Sequence, residues 1–180
     1  LVPALFAFVA AFPAPAFGQA GADAALDKAV ATYGKMDTFH ATFEQTLTNP
    51  LTGSTMQARG EVHRQKPNLI SVRFTDPAGD RIVIDGSAIW LYMPSTNPDV
   101  AYKMPLGAGS AGAFDPVQLM ESPRTRFEVG DGGSAMVGER RTQIVTLVPK
   151  RAGGPFASAK VWIDAEGAIR QFEVTDGNGM

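Results

Sequence analysis

The feature that most constrains this chain is a series of segments, between residues 39 and 93, in which apolar and polar residues alternate with a period of two. That period is typical of strands with one face on a core and the other in water. Short turn sequences such as Asp76-Pro77-Ala78-Gly79 and Asp85-Gly86-Ser87 separate the segments, and no helical crossover lies between them. We therefore predict five antiparallel strands, each pairing with the next along the chain, over 39–47, 56–66, 70–75, 81–84 and 88–93.

Outside this region the sequence predicts more strands and only short helices. Strands are expected over 125–129, 142–148, 159–163 and 168–174, and a Gly-, Ala- and Pro-rich loop over 97–113. The spacing of Leu26, Val30, Tyr33 and Met36 predicts a helix over 23–36 that begins at Asp23 as its N-cap. A second, short helix is expected to start at 115–116, to carry Val117, Leu119 and Met120, and to end before Pro123.

The N-terminal 20 residues have the pattern of a secretory signal peptide. Residues 1–12 are almost wholly apolar, the run is too short for a membrane span, and it breaks at Pro13 and Pro15 before a group of small residues. Residues 16–22 contain no Cys, so no lipid anchor is expected. These features predict an exported, freely diffusing protein of the bacterial envelope. Residues 21–180 are expected to form one domain, with its C-terminal end truncated.

Composition and motifs leave little room for catalysis. The chain has no Cys, so it has no thiolate metal site and no cysteine nucleophile, and its net charge of −2 without a basic run argues against nucleic acid as a partner. His40 and Glu44 share a strand face but lie too far apart, at about 13 Å, to act as a direct acid/base pair. His63 approaches His40 only if their strands pair in the right register, and two histidines alone are a weak zinc signal. We expect no enzyme, cofactor or metal.

The apolar side of the predicted strands carries two cations, Arg64 and Lys66, which need a reason to lie there. One explanation is that both reach solvent at a sheet edge. The other is that they lie at the mouth of a cavity and donate hydrogen bonds to whatever closes it. The sequence does not distinguish a filled core from a cavity wall for the apolar residues of the same side, which are Phe39, Phe43, Val62, Ile70, Val72 and Phe74.

Residues 39–94 resemble the LolA family of periplasmic lipoprotein carriers. The motifs that carry this resemblance are Phe39-His40-Ala41-Thr42-Phe43-Glu44-Gln45, Gly60, Lys66-Pro67-Asn68-Leu69, Asp85-Gly86 and Trp90-Leu91-Tyr92-Met93-Pro94. Weaker similarity continues through 115–120, 147–150 and 164–172. The resemblance implies an incomplete antiparallel β-barrel covered by a helical lid.

The same resemblance implies the site residues. The acyl-chain cavity is expected at Phe43, Val62, Ile70, Val72, Phe74 and Trp90, and the lid at Leu26, Val30, Tyr33, Leu119 and Met120. The family's usual Arg-Pro-Asn motif reads Lys66-Pro67-Asn68 here, so Lys66, with Arg64 as a substitute, is expected to gate the lid.

The family also implies partners. These are acylated lipoproteins, an inner-membrane ABC transporter that supplies them and an outer-membrane acceptor that receives them, with the carrier acting as a periplasmic monomer. The alternative is an envelope lipid-binding or stress-sensing module with the same fold and no role in lipoprotein transport.

Overall fold

The computed structural model describes residues 17–106, 116–151 and 156–179. Most of the predicted signal peptide, residues 1–16, lies outside this part of the chain, as does much of the predicted loop. The elements in chain order are α1 (Phe17–Gly34), β1 (Thr38–Thr48), β2 (Thr55–Gln65), β3 (Leu69–Asp76), β4 (Ala78–Asp85), β5 (Ala88–Tyr92), β6 (Ala101–Pro105), α2 (Pro116–Leu119), α3 (Pro123–Arg126), β7 (Phe127–Val137), β8 (Arg140–Pro149), β9 (Ser158–Asp164) and β10 (Ile169–Thr175).

The first six strands form one antiparallel sheet in chain order, β1-β2-β3-β4-β5-β6. The five predicted strands are confirmed within a few residues at each end. The prediction of an uninterrupted loop over 97–113 is wrong, because 101–105 form β6, which pairs with β5 through Trp90 and Lys103. All five residues of β6 are exposed, so the strand depends on its backbone pairing with β5 and buries neither face.

The last four strands form a second antiparallel sheet in the order β10-β9-β8-β7. β7 begins at Phe127 rather than at 125, because Pro123 opens the short helix α3 instead of ending the preceding one. β7 also runs on to Val137, beyond the predicted end at 129, and contains Gly130, Gly132 and Gly133. Glycine fits the first two positions because it has no Cβ. A Cβ at Gly130 would press on the Thr146 side chain of β8, and a Cβ at Gly132 would press on the Ile144 side chain.

Helix α1 begins earlier than predicted, at Phe17, so Asp23 lies inside the helix and is not its N-cap. Instead, the Asp23 carboxylate accepts a hydrogen bond from the Arg124 guanidinium at 3.0 Å. The helix face that meets the second sheet combines Leu26 and Tyr33 with small residues, and small side chains let a helix approach a sheet closely. The buried small residues on that face are Ala22, Ala25 and Ala29.

Most of the buried apolar side chains in the described part of the chain fall into two clusters. The first lies between α1, the segment around α2 and strands β7–β9, and includes Leu26, Leu119, Val145 and Val161. The second lies on the six-stranded sheet and consists of Ile70, Val72, Ile82, Ile84 and Ile89.

Within the described residues no strand pairing joins the two sheets, so the barrel is incomplete. This confirms the predicted fold class, a mainly β protein with helices over an open antiparallel barrel. Over the same residues, no helix combines the length and the apolar character that spanning a membrane requires.

Candidate hydrophobic ligand site

Cross-strand register shows which side chains of the six-stranded sheet share a face, since directly paired residues point to the same side. We call the side that carries the buried isoleucines the inner face. Each row of it crosses several strands, and together they form a largely apolar surface that includes the charged residue Arg64. Asp80, two residues before Ile82 on β4, is also buried on this side, where its carboxylate accepts hydrogen bonds from Ser95. The rows are Phe39, Arg64, Ile70, Ile84 and Ile89; Ala41, Val62, Val72, Ile82 and Leu91; and Phe43, Gly60 and Phe74.

The aromatic end of the inner face depends on a glycine. The rings of Phe43 and Phe74 meet edge to face with centroids 5.6 Å apart, and Gly60 lies between them in the register. A Cβ at Gly60 would collide with the Arg73 carbonyl oxygen and would lie 2.9 Å from Cζ of Phe43. Only glycine therefore lets the Phe43 ring lie across β2 in this position.

Five of the six predicted cavity residues lie on the inner face. Ile70 and Val72 are buried, while Phe43, Val62 and Phe74 are partly buried against the same cluster. The predicted cavity did not include Ile82, Ile84, Ile89 and Leu91, which extend this surface across β4 and β5. Val83 and Trp90 between them are apolar as well, so alternation did not separate the two faces there; the polar residues Arg81 and Asp85, which share the face of Val83, were the local signal.

The prediction that Trp90 lines the cavity is wrong. Trp90 pairs with Val83 and Lys103 on the opposite side of the sheet, the outer face, because Ile89 and Leu91 on either side of it occupy the inner face. Its indole Nε1 donates a hydrogen bond to Asp85 Oδ2 at 2.8 Å, and Lys103 Nζ lies 4.5 Å from its ring centroid. Hydrogen bonds from Trp90, and then from Ser87 and Ala88, hold the pKa of Asp85 well below its usual range.

The two predicted gate cations both contact the helical segments. Arg64 is buried in the sheet, and its guanidinium lies 3.3 Å from Oε1 of Glu121, which follows α2. Lys66 Nζ donates to the carbonyl oxygen of Gly34, the last residue of α1, at 2.8 Å and lies 3.7 Å from Asp37. A cation at this end of a helix also interacts favourably with the helix dipole.

The predicted lid residues belong to the first buried cluster. Leu26, Tyr33, Leu119 and Met120 are buried there, and Val30 is partly buried against it, so the helices that carry them pack on β7–β9. Burial raises the pKa of Tyr33, whose hydroxyl oxygen accepts a hydrogen bond from the Ile169 amide at 3.0 Å. At the other end of the inner face, Tyr33 meets Phe39 edge to face at 6.1 Å.

The geometry defines an open antiparallel barrel whose apolar inner face is bordered by helices and joined to them through two cations. Comparison with known proteins agrees with this class. Residues 34–180 match the family model for the outer membrane lipoprotein carrier protein LolA, and the chain belongs to that family.

The individual relatives share less than a third of the aligned residues with this chain. The outer-membrane lipoprotein carrier protein of Sodalis glossinidius is 28% identical over 173 residues, which cover 96% of this chain and 78% of that protein. The carrier of the same name from Serratia proteamaculans is 28% identical over 159 residues, covering 88% and 73%. Among solved structures, an uncharacterized conserved protein from Thermus thermophilus superposes with a TM-score of 0.50 at 17% identity, covering 88% and 78%, which indicates a shared fold.

Proposed function

We propose that this protein is a carrier that binds the acyl chains of lipoproteins on the inner face of its six-stranded sheet. The observation that carries the proposal is the continuous apolar inner face, bordered by α1 and the α2 segment and joined to them by Arg64 and Lys66. Family membership and the names of the relatives agree with it. Binding and release of acyl chains need no catalytic group, so the carrier acts without enzymatic turnover.

Lys66 and Arg64 serve as the gate in this proposal. Their contacts with Gly34 and Glu121 hold the helical segments against the inner face when no acyl chain is bound. A hydrogen bond of this kind contributes on the order of 1 kcal/mol. Burying acyl methylenes gives about 0.8 kcal/mol each, so a few of them outweigh the gate. The gate therefore opens for a lipid chain and helps to expel it once a stronger acceptor is available.

Family membership supports the route of the cargo in this proposal. The carrier acts in the periplasm as a monomer, receives acylated lipoproteins from an inner-membrane ABC transporter, and delivers them to an outer-membrane acceptor. This direction requires that the acceptor hold the acyl chains more tightly than the inner face does, because the carrier itself supplies no energy.

Native mass spectrometry tests the proposal most directly. The chain is expressed with an export signal and purified from periplasmic extract. One sample is incubated with a triacylated lipoprotein and a second with the same lipoprotein whose acylated Cys is replaced by Ser, and the bound species in the two samples are compared. We expect a one-to-one complex with the acylated form only. Bound phospholipid or fatty acid and no lipoprotein would replace the proposal with a lipid-binding module, and a ligand-free protein in both samples would mean that the inner face is a filled core.

A further inference from the structure

The two histidines of this chain lie next to each other on the outer face of the sheet. His40 on β1 and His63 on β2 are direct cross-strand partners, and their rings stack with centroids 4.2 Å apart and planes 16° from parallel. These are the only two histidines in the sequence, and the β1–β2 register brings them together. Both imidazoles are about half exposed and accessible to an ion in solution.

A carboxylate completes the group. Glu61 precedes His63 by two residues on β2, so it points to the same face. Its Oε2 lies 3.5 Å from Nε2 of His63 and 3.9 Å from Nε2 of His40. The three side chains each place one ligand atom within 4.8 Å of the others. Glu44, which shares a strand face with His40 but was predicted to lie too far from it to pair, contacts Arg59 at 3.4 Å.

We propose that His40, Glu61 and His63 form a binding site for a divalent transition-metal ion of the zinc type. Imidazole nitrogen and carboxylate oxygen bind Zn²⁺ at about 2.0–2.2 Å, which places neighbouring ligand atoms about 3.3 Å apart in a tetrahedron. Two imidazoles favour Zn²⁺, Cu²⁺ or Ni²⁺ over Mg²⁺ and Ca²⁺, which prefer oxygen ligands only. The stacked imidazoles reach tetrahedral spacing by turning one ring about its side-chain bonds, and their exposure leaves room for that turn.

The backbone supports this site because the ligands come from two paired strands. One ligand comes from β1, the edge strand of the sheet, and two come from β2, so a bound ion bridges the pair. The ion then binds the folded protein and not the unfolded chain, which does not hold the three groups together. Binding therefore stabilises the folded state. Water fills the remaining coordination position.

The test is calorimetric titration of the untagged chain with Zn²⁺, because a polyhistidine tag would itself bind the ion. We expect one saturable site per chain and a higher midpoint of thermal unfolding with Zn²⁺ than without it. His40→Ala and His63→Ala should each weaken Zn²⁺ binding about tenfold or more, because losing even a residue that only hydrogen-bonds to a metal ligand typically costs about 10–100-fold in affinity. Glu61→Gln should weaken it as well. The matched control is Glu44→Gln, which removes a carboxylate from the same strand pair outside the site and should leave the affinity unchanged.

Nuclear magnetic resonance of the imidazole groups provides a second readout. The wild-type chain gives only two sets of histidine signals, and both should shift together on addition of one equivalent of Zn²⁺. The proposal is overturned if Zn²⁺ produces no saturable heat and no coordinated shift, or if either His→Ala variant keeps the wild-type affinity. An unchanged affinity in Glu61→Gln would overturn the three-ligand site. Circular dichroism confirms that the variants remain folded.

Discussion

At the scale of single residues, Arg64 and Lys66 are both cations that contact the helical segments, but they differ in burial. Arg64 is 6% exposed within the sheet, whereas the Lys66 side chain is 35% exposed beyond the end of β2. Removing a buried charge leaves unfilled space and changes packing, while removing the exposed one mainly deletes a hydrogen bond. Lys66 is therefore the cleaner position at which to test the gate.

Lys66→Ala should slow the release of a bound acyl chain. In the proposed gate the contact with Gly34 holds the empty protein closed, so its loss is expected to favour the bound state by about 1 kcal/mol, or roughly fivefold in affinity. The measurement is the transfer rate of a fluorescent acylated peptide to acceptor vesicles, with unfolding in denaturant as a stability check. Lys160→Ala, which removes an exposed ion pair with Glu173 away from the gate, is the control. Equal rates for wild type and Lys66→Ala would refute the gate.

A second residue-scale prediction concerns neighbouring positions on opposite faces of β3. Phe74→Glu should abolish binding of an acylated lipoprotein, because a carboxylate on the apolar inner face disfavours both the ligand and the packing against Phe43. Thr75→Glu places the same charge at the next, exposed residue and should bind normally. Pull-down with purified lipoprotein compares the two. If both variants bind equally well, the inner face does not hold the ligand.

At the scale of elements, the turn between β9 and β10 is fixed by Asp164. Its carboxylate is almost fully buried and accepts backbone hydrogen bonds from Glu166 and Ala168, both at 2.9 Å, and one from Arg170 Nε at 2.7 Å. Arg170 Nη2 also lies 2.7 Å from Asp164 Oδ2 as an ion pair. Burial alone would raise its pKa, but the hydrogen bonds and the Arg170 charge outweigh burial, and the pKa of Asp164 is lowered. The ionised carboxylate thus organises the turn that joins the two strands.

This network predicts how stability changes with pH. Because folding lowers the pKa of Asp164, its contribution is complete above the unfolded value of about 3.9 and is lost as pH falls through the lower folded value. Asp164→Asn should therefore lower the free energy of unfolding by about 1–3 kcal/mol at pH 7 and flatten its decline in acid. Denaturant unfolding at pH 7 and pH 3 measures both effects. An unchanged acid dependence in the variant would show that Asp164 does not control it.

At the scale of the whole molecule, the location of α1 determines how the protein can open. Leu26, Ala29 and Tyr33 are buried with β8 and β9 residues in the first cluster, so lifting the helix away would expose that entire core. The helical segments make fewer and more polar contacts with the six-stranded sheet. These include Lys66 with Gly34 at the end of α1 and Arg64 with Glu121 after α2. Opening should therefore separate α1 from β2 while α1 stays on the second sheet.

Amide hydrogen exchange with and without bound lipoprotein distinguishes these modes of opening. Residues 22–33 of α1 should stay protected in both states, because they remain packed on β7–β9. Residues 34–39 and 117–122, next to the gate contacts, should change protection on binding. Faster exchange throughout α1 in the complex would show instead that the helix leaves the second sheet.

The alternation of side chains was sufficient to predict most of the strands and a mainly β, antiparallel fold, whereas the incomplete barrel was predicted from the resemblance to the LolA family. The alternation also placed Phe43, Val62, Ile70, Val72 and Phe74 on one side, because a period of two assigns faces without knowledge of strand partners. The prediction was wrong for β6, which has no buried face, and for Asp23, because nothing local distinguishes a cap from a polar residue inside a longer helix.

Thus the sequence by itself determined the faces of the strands, the placement of Arg64 on the apolar side and the resemblance to a carrier family. Only the tertiary structure decided which groups meet across strands: Lys66 with the end of α1, Arg64 with Glu121, and His40 with His63 and Glu61. The physical reason is that side-chain direction follows from local backbone geometry, whereas contacts between distant residues depend on strand register and helix packing. Those are set by the chain as a whole.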